Sequence, residues 1–170
     1  MKMMKQWLAV LLAVLCAVGI CACKENQQQG NDPDPYSFVI DGVTVTPGAK
    51  AKDVIAALAS KNPNVSAKGS CLDGVDGEDV RYAYTGFYIE TFRLSEGHED
   101  EEIRWVCFTD DSVSTQRGIK IGSTADEVKA AYGTNASATD TMLPYQSSGT
   151  ELRFKLRDSV VVEISYTVVE

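Results

Sequence analysis

The sequence predicts an α+β fold: two tandem units, each a helix plus antiparallel strands, forming a layered sheet with helices on one face. Three observations predict it. Short β-branched and aromatic runs alternate apolar and polar residues, two segments carry apolar residues at helical spacing, and the two halves repeat the same order of elements.

The elements follow in chain order. Phe38-Val39-Ile40 and Val43-Thr44-Val45 flank Asp41-Gly42, which suits a type I′ hairpin because both central positions need positive φ. Thr46-Pro47-Gly48 ends the second strand. Lys50 to Ser60 then places Val54, Ile55 and Leu58 on a helical stripe, and Asn62-Pro63 stops it. Asn64 to Asp79, rich in Gly, Ser and Asp, reads as a loop. Tyr82 and Tyr84 alternate, and Tyr88 to Leu94 continues as strand after Gly86. Ser95–Glu101 reads as an acidic turn. On the next strand Ile103, Trp105 and Cys107 share one face, with Arg104, Val106 and Phe108 on the other.

The second half starts the pattern again. Ile119-Lys120-Ile121-Gly122 leads into a helix with Ser123 as N-cap, Asp126 as its capping-box partner and Gly133 at its end. Leu152, Phe154 and Leu156 face away from Arg153, Lys155 and Arg157. Asp158-Ser159 turns the chain, and Val160, Val162, Ile164 and Tyr166 form the returning apolar face. A shift of 74 positions sets Val45 on Ile119, Gly48 on Gly122, Asp53 on Glu127 and Val54 on Val128. A single globular domain, residues 36–170, is therefore read as two repeat units of about 36–112 and 113–170.

Gly122-Ser123-Thr124-x-x-Glu127-Val128-x-x-x-Tyr132-Gly133, followed by the strands Leu152–Leu156 and Val160–Tyr166, resembles a unit found in two groups. One is the SmpA/OmlA-type small outer-membrane lipoproteins; the other is the β-lactamase-inhibitory-protein-like domains, which carry two such units. The resemblance covers most of Val43–Thr167 and is distinctive only at the helix entry. It implies helices packed on an antiparallel sheet and protein binding more than catalysis. It carries no functional residue over, and the inhibitory loops have no counterpart here.

The N-terminus sets the expected compartment. Lys2 and Lys5 precede an apolar run from Trp7 to Ala22, 16 residues without a charge, shorter than the ~20 that span a bilayer. Residues 1–22 thus read as a secretory signal peptide. Ile20-Cys21-Ala22-Cys23 resembles the lipobox of lipoprotein signal peptidase, which makes Cys23 the expected lipidation site and the membrane, through a lipid anchor, an expected partner. Residues 23–35 follow as lipidated cysteine and disordered linker; Lys24 to Pro35 has no apolar residue apart from its prolines. The expected location is extracytoplasmic.

Charge and cysteine count narrow the chemistry. The net charge is −8; removing residues 1–22 takes two lysines and no acidic residue, leaving 14 basic against 24 acidic residues and −10. Such a domain gains nothing from phosphate contacts, so nucleic acid is excluded as a partner. With Cys23 acylated, Cys71 and Cys107 remain, either as a disulfide or as two buried thiols. Neither metal nor cofactor is expected. His98 sits alone in the acidic turn and lacks the held geometry a catalytic base needs. Asp73-Gly74-Val75-Asp76-Gly77-Glu78-Asp79 lacks the later glutamate and flanking helices of a calcium loop. Tyr82, Tyr84, Phe87, Tyr88, Phe92 and Trp105 form an aromatic set on these strands, and Tyr82, Tyr84, Tyr88 and Trp105 stand out in it as a candidate binding face, because aromatic residues are enriched at protein interfaces.

These features make the chain a lipid-anchored, non-enzymatic protein-binding module of the cell envelope, its partner an unidentified protein. A structural envelope-assembly lipoprotein is the alternative, and an enzyme-inhibitory protein or a hydrolase comes third.

Overall fold

Among the described residues each α-helix entry is tied to a strand end by main-chain hydrogen bonds. Gly48 N donates to Ile103 O (2.7 Å) and Ala51 N to Glu101 O (2.9 Å); Gly122 N donates to Val161 O (2.8 Å) and Ala125 N to Ser159 O (2.9 Å). These ties appear in a computed structural model that describes residues 36–70, 76–94, 101–135, 137–147 and 149–169. Residues 1–35, Cys71 and residues 95–100 with His98 lie outside the described residues, and with them the expected signal peptide, the expected lipidation site Cys23 and all of the predicted acidic turn except Glu101.

The predicted α+β class of tandem helix-plus-strand units is overturned. The chain is mostly β, with 48% strand against 15% helix. The strands are β1 (Phe38–Ile40), β2 (Val43–Val45), β3 (Asn64–Gly69), β4 (Gly77–Ala83), β5 (Phe87–Leu94), β6 (Glu102–Phe108), β7 (Met142–Gln146), β8 (Thr150–Arg157) and β9 (Val160–Val168). The helices are α1 (Ala51–Ala57) and α2 (Ala125–Tyr132), with a short 3₁₀ turn at Ala59–Lys61. β1 and β2 pair alone; the other seven form one antiparallel sheet in the order β3-β4-β5-β6-β9-β8-β7.

Two physical reasons account for the change of class. The helices are short: at about 1.5 Å per residue, each spans only ~10–12 Å. Stretches that read as irregular also pair as strands. β3 lies inside the predicted loop Asn64–Asp79, and its residues are all exposed, so no apolar alternation marks it. β7 carries Pro144 and sits at a sheet edge, where proline is tolerated.

Local chemistry explains the turns. Asp41 and Gly42 both take positive φ (50° and 78°), as the hairpin demands, and Asp158 and Ser159 do the same (51° and 62°) between β8 and β9. α2 begins one residue later than expected. Thr124, not Ser123, is its N-cap: Thr124 Oγ1 accepts from Glu127 N (3.2 Å), and Glu127 Oε2 accepts from Thr124 N (2.7 Å). Glu127 is one methylene longer than Asp126, which lets it reach back over the turn.

One face of the sheet holds the core. Val80 on β4, Phe87 and Ile89 on β5, Ile103, Val106 and Phe108 on β6, Ile164 and Tyr166 on β9, and Leu152 and Phe154 on β8 are all buried. Phe38 and Val45 of the hairpin, Ala51 and Leu58 at α1, and Val128 and Tyr132 of α2 belong to the same cluster. Phe38 meets Phe87 and Phe108 edge-on, both at 4.9 Å between centroids, and lies 6.1 Å from Tyr166. Hairpin and helices therefore cover this face.

Tyr166 is fully buried, and its hydroxyl has no hydrogen-bond partner among the described residues. Its ring supplies the packing, and its oxygen carries an unrepaid desolvation cost. Tyr166→Phe is therefore expected to leave stability unchanged or raise it by up to about 1 kcal/mol. Tyr166→Ala is expected to cost about 3–5 kcal/mol through the cavity it opens. Chemical denaturation measures both; a loss above about 1 kcal/mol for Tyr166→Phe would show the hydroxyl to be stabilising.

Candidate functional site

The second face of the seven-strand sheet is where the functional candidates gather. Register assigns Asp79, Arg81 and Ala83 of β4 and Tyr88, Glu90 and Phe92 of β5 to it, through the pairs Asp79↔Phe92, Arg81↔Glu90 and Ala83↔Tyr88. Trp105 and Cys107 of β6 pair with Glu90 and Tyr88, and Thr167 and Ser165 of β9 continue the rows. Glu151, Arg153 and Lys155 of β8 extend the face toward β7.

A bulge decides which β6 residues face which way. Thr91 pairs with Ile103 and Glu90 with Trp105, so Arg104 is the extra residue. Ile103 consequently turns into the core, away from Trp105 and Cys107, and the expectation that these three share a face is corrected. Val162 is the extra residue on β9 in the same way. Val161, Ile164 and Tyr166 are buried, and Val160 is exposed, against the regular alternation expected there.

The four aromatic candidates divide between the faces. Tyr82 and Tyr84 lie on the covered side. Tyr84 stacks on Phe87 at 4.8 Å, and Tyr82 Oη donates to Glu101 Oε1 at 3.0 Å. Glu101, buried, also accepts from Thr91 Oγ1, whose hydroxyl lies within bonding reach of Val80 O (3.2 Å). Tyr88 and Trp105 lie on the second face, and Trp105 is 38% exposed. The strand period of two places Tyr82 and Tyr84 together, and the turn at Thr85-Gly86 puts Tyr88 on the opposite side.

Phe92 of the aromatic set lies here too, and two arginines that sequence reading missed join it. Arg81 lies over the Tyr88 ring at 4.1 Å and bonds Glu90 Oε2 through Nε (3.2 Å) and Nη2 (2.8 Å). Arg104 lies 5.1 Å from the Phe92 centroid. The Phe92 ring packs on Gly77, where an added Cβ would come within 2.6 Å of it. The signal that could have found them is period two from Asp79 and from Tyr88, which alternates Arg81 and Phe92 onto one side. Farther along, Lys155 Nζ lies 3.5 Å from Glu163 Oε2 and Arg153 pairs with Glu151. A shallow recess of about 260 Å³, lined by Ser66, Lys68, Asp79, Arg81 and Glu90, opens near β3.

Cys107 is buried with its thiol free among the described residues, and Cys71, its expected partner, lies outside them. Burial pushes its pKa up, which keeps it in the poorly nucleophilic protonated form at neutral pH. The Tyr88 hydroxyl is pushed up to about 12, mainly by burial and then by the neighbouring Cys107. What this face offers is contact area and paired charge. Among the described residues no His, Cys, Asp and Glu cluster is arranged to hold a metal ion, and no helix is long and apolar enough to cross a membrane.

No family model, no curated protein and no solved structure matches this chain. Function therefore has to be argued from the residues.

Tyr82 is also raised to about 12, first by burial and then by the Glu101 carboxylate. A folded-state pKa above the ordinary value of about 10 means that the folded chain keeps its proton longer than the unfolded one. Stability is then fully present below pH ~10 and falls as pH rises through 10 toward 12. The denaturation midpoint is expected to stay flat from the standpoint of these groups between pH 7 and 9, then drop, with phenolate absorbance rising as structure is lost. Phenolate absorbance rising fully near pH 10 with the fold intact would contradict it.

Proposed function

We propose that this chain is a lipid-anchored, non-enzymatic protein-binding module of the cell envelope, and that the uncovered sheet face is its docking surface. The observation that carries this reading is the one-sidedness of the sheet. Hairpin and helices pack on one face, and the other presents Tyr88, Phe92 and Trp105 among Arg81 and Arg104.

Aromatic residues and arginine are the types enriched at protein interfaces, and exposed tryptophan and tyrosine are frequent hot spots. The cross-strand Arg81–Glu90 ion pair and the contact of Arg104 with the Phe92 ring hold these arginines in place, which lowers the entropy lost on docking. Neutral Tyr88 and Cys107 suit contact rather than nucleophilic chemistry. Anchoring through Cys23 supports the same reading, because a tether and polar spacer would hold an acidic domain at a surface that repels it.

The test uses the full chain in its native envelope. Cells are grown with labelled palmitate, and the protein is recovered from detergent extracts as wild type, Cys23→Ala, Trp105→Ala and Tyr88→Ala. The expected result is label on every form except Cys23→Ala. A co-purifying protein should be reduced about tenfold or more by Trp105→Ala, in keeping with a hot-spot loss of about 2 kcal/mol. Unchanged co-purification with both aromatic variants would remove the sheet face from the account, and label retained on Cys23→Ala would remove the anchor.

A further inference from the structure

The two edges of the seven-strand sheet are β3 and β7, and they are finished differently. In an antiparallel ladder, residues that bond to the neighbouring strand alternate with residues whose N–H and C=O point outward. On β7, Ser147 N donates to Thr150 O (3.0 Å), which makes Met142, Pro144 and Gln146 the outward residues. Pro144 has no N–H to offer, and Asn135 Nδ2 donates to its carbonyl. Thr139 N donates to Met142 O at 2.8 Å. This edge is closed by the chain itself.

β3 has no such closure. Ser70 N donates to Gly77 O (2.9 Å), so Ser66 and Lys68 bond to β4, and Val65, Ala67 and Gly69 turn their main-chain groups outward. No described residue bonds to those groups. All six residues of β3 are exposed, the ladder to β4 runs without a bulge, and Val65 is 54% exposed. A straight, open edge of this kind templates another strand.

We propose that the chain forms a two-fold symmetric dimer in which β3 pairs antiparallel with β3 of a second copy, centred on Ala67. This register brings outward residues opposite one another: Ala67 faces Ala67, and each Val65 faces Gly69 of the other copy. Each such pair exchanges two hydrogen bonds, so the three pairs carry six. Size is matched as well, since the exposed Val65 meets a residue without a side chain. Charge selects the same register. Lys68 is the one ionisable residue on β3, and centring on Ala67 sets it against Ser66. Slipping the two-fold by one residue toward Gly69 would put Lys68 against Lys68, which is repulsive. The product is a continuous sheet of fourteen strands, an isologous pairing that closes on itself and leaves only the two blocked β7 edges. It does not depend on what binds the uncovered face.

The test uses the purified full chain in detergent and the same chain in membranes. Wild type is examined by sedimentation over a wide concentration range. Ala67→Cys and Val65→Cys are compared for cross-linking under mild oxidation. In the proposed register two Cα atoms at 67 lie about 5.5 Å apart, within disulfide range, whereas two at 65 are offset by about 14 Å along the strands. Native cysteines contribute the same background to both. Ala67→Pro removes an outward N–H without touching the β3–β4 ladder, and its thermal melt reports whether it folds.

We expect a concentration-dependent dimer, strong cross-linking for Ala67→Cys over Val65→Cys, and dimerisation weakened about tenfold or more by Ala67→Pro. A monomer at every concentration would overturn the proposal. So would equal cross-linking at 65 and 67, a dimer untouched by a folded Ala67→Pro, or a cross-link from Ala67→Cys to a different polypeptide in membranes. If Ala67→Pro fails to fold, the cysteine pair decides alone.

Discussion

The pairing of β6 with β9 is the contact on which the rest of this structure depends. Three register pairs form it: Trp105↔Thr167, Val106↔Tyr166 and Cys107↔Ser165. It joins β3–β6, which follow one another in the chain, to β7–β9, which come after α2. Without it the seven-strand sheet would split into two smaller ones, each with an extra free edge. On the covered side the seam is packed by Val106, Phe108 and Tyr166, and Phe38 of the hairpin lies over them. Phe38, Phe108 and Tyr166 are large, buried rings, each of which removes much apolar surface from water. The seam is thus both the topological join and the centre of the core.

One-sidedness follows from the same arrangement. Among the described residues, two short helices and a hairpin pack on one face and no element packs on the other. The uncovered face is stabilised by pairing within its own surface: Arg81 with Glu90 and Tyr88, Arg104 with Phe92, Lys155 with Glu163. Exposed ion pairs of this sort contribute little to stability, a few tenths to about 1 kcal/mol each. Their effect is to keep aromatic rings and guanidinium groups in fixed positions, which matters for binding more than for folding. The bulge at Arg104 belongs to this logic, since it turns Ile103 inward while leaving Trp105 and Cys107 outward.

Turns were the most legible part of the fold. Asp41-Gly42 and Asp158-Ser159 were readable because positive φ at two successive positions is a demand that few residue pairs meet. Helix positions were also readable, but their weight was not: apolar spacing located α1 and α2 and said nothing of how little of the sheet they cover. β3 was hidden because a strand exposed on both faces has no reason to alternate, and its edge position exists only once β4 is in place. The bulges were hidden for a related reason. Each is a shift between partners, and the strand that carries it has no local residue signal for it. Of the candidate face, Tyr88 and Trp105 were named from composition and period. Phe92 shares the face of Tyr88 by period two, and Arg104 belongs with them only through the bulge.

If the β6–β9 seam makes one cooperative unit of the whole sheet, its amides should open only when the molecule unfolds. Native-state hydrogen exchange on peptides covering 103–108 and 161–167 measures this directly. The prediction is that both exchange with the same free energy and denaturant dependence as β5 and β8, the most slowly exchanging segments. Seam peptides that exchange faster than β5 and β8, with the two sides of the sheet opening at different free energies, would contradict it.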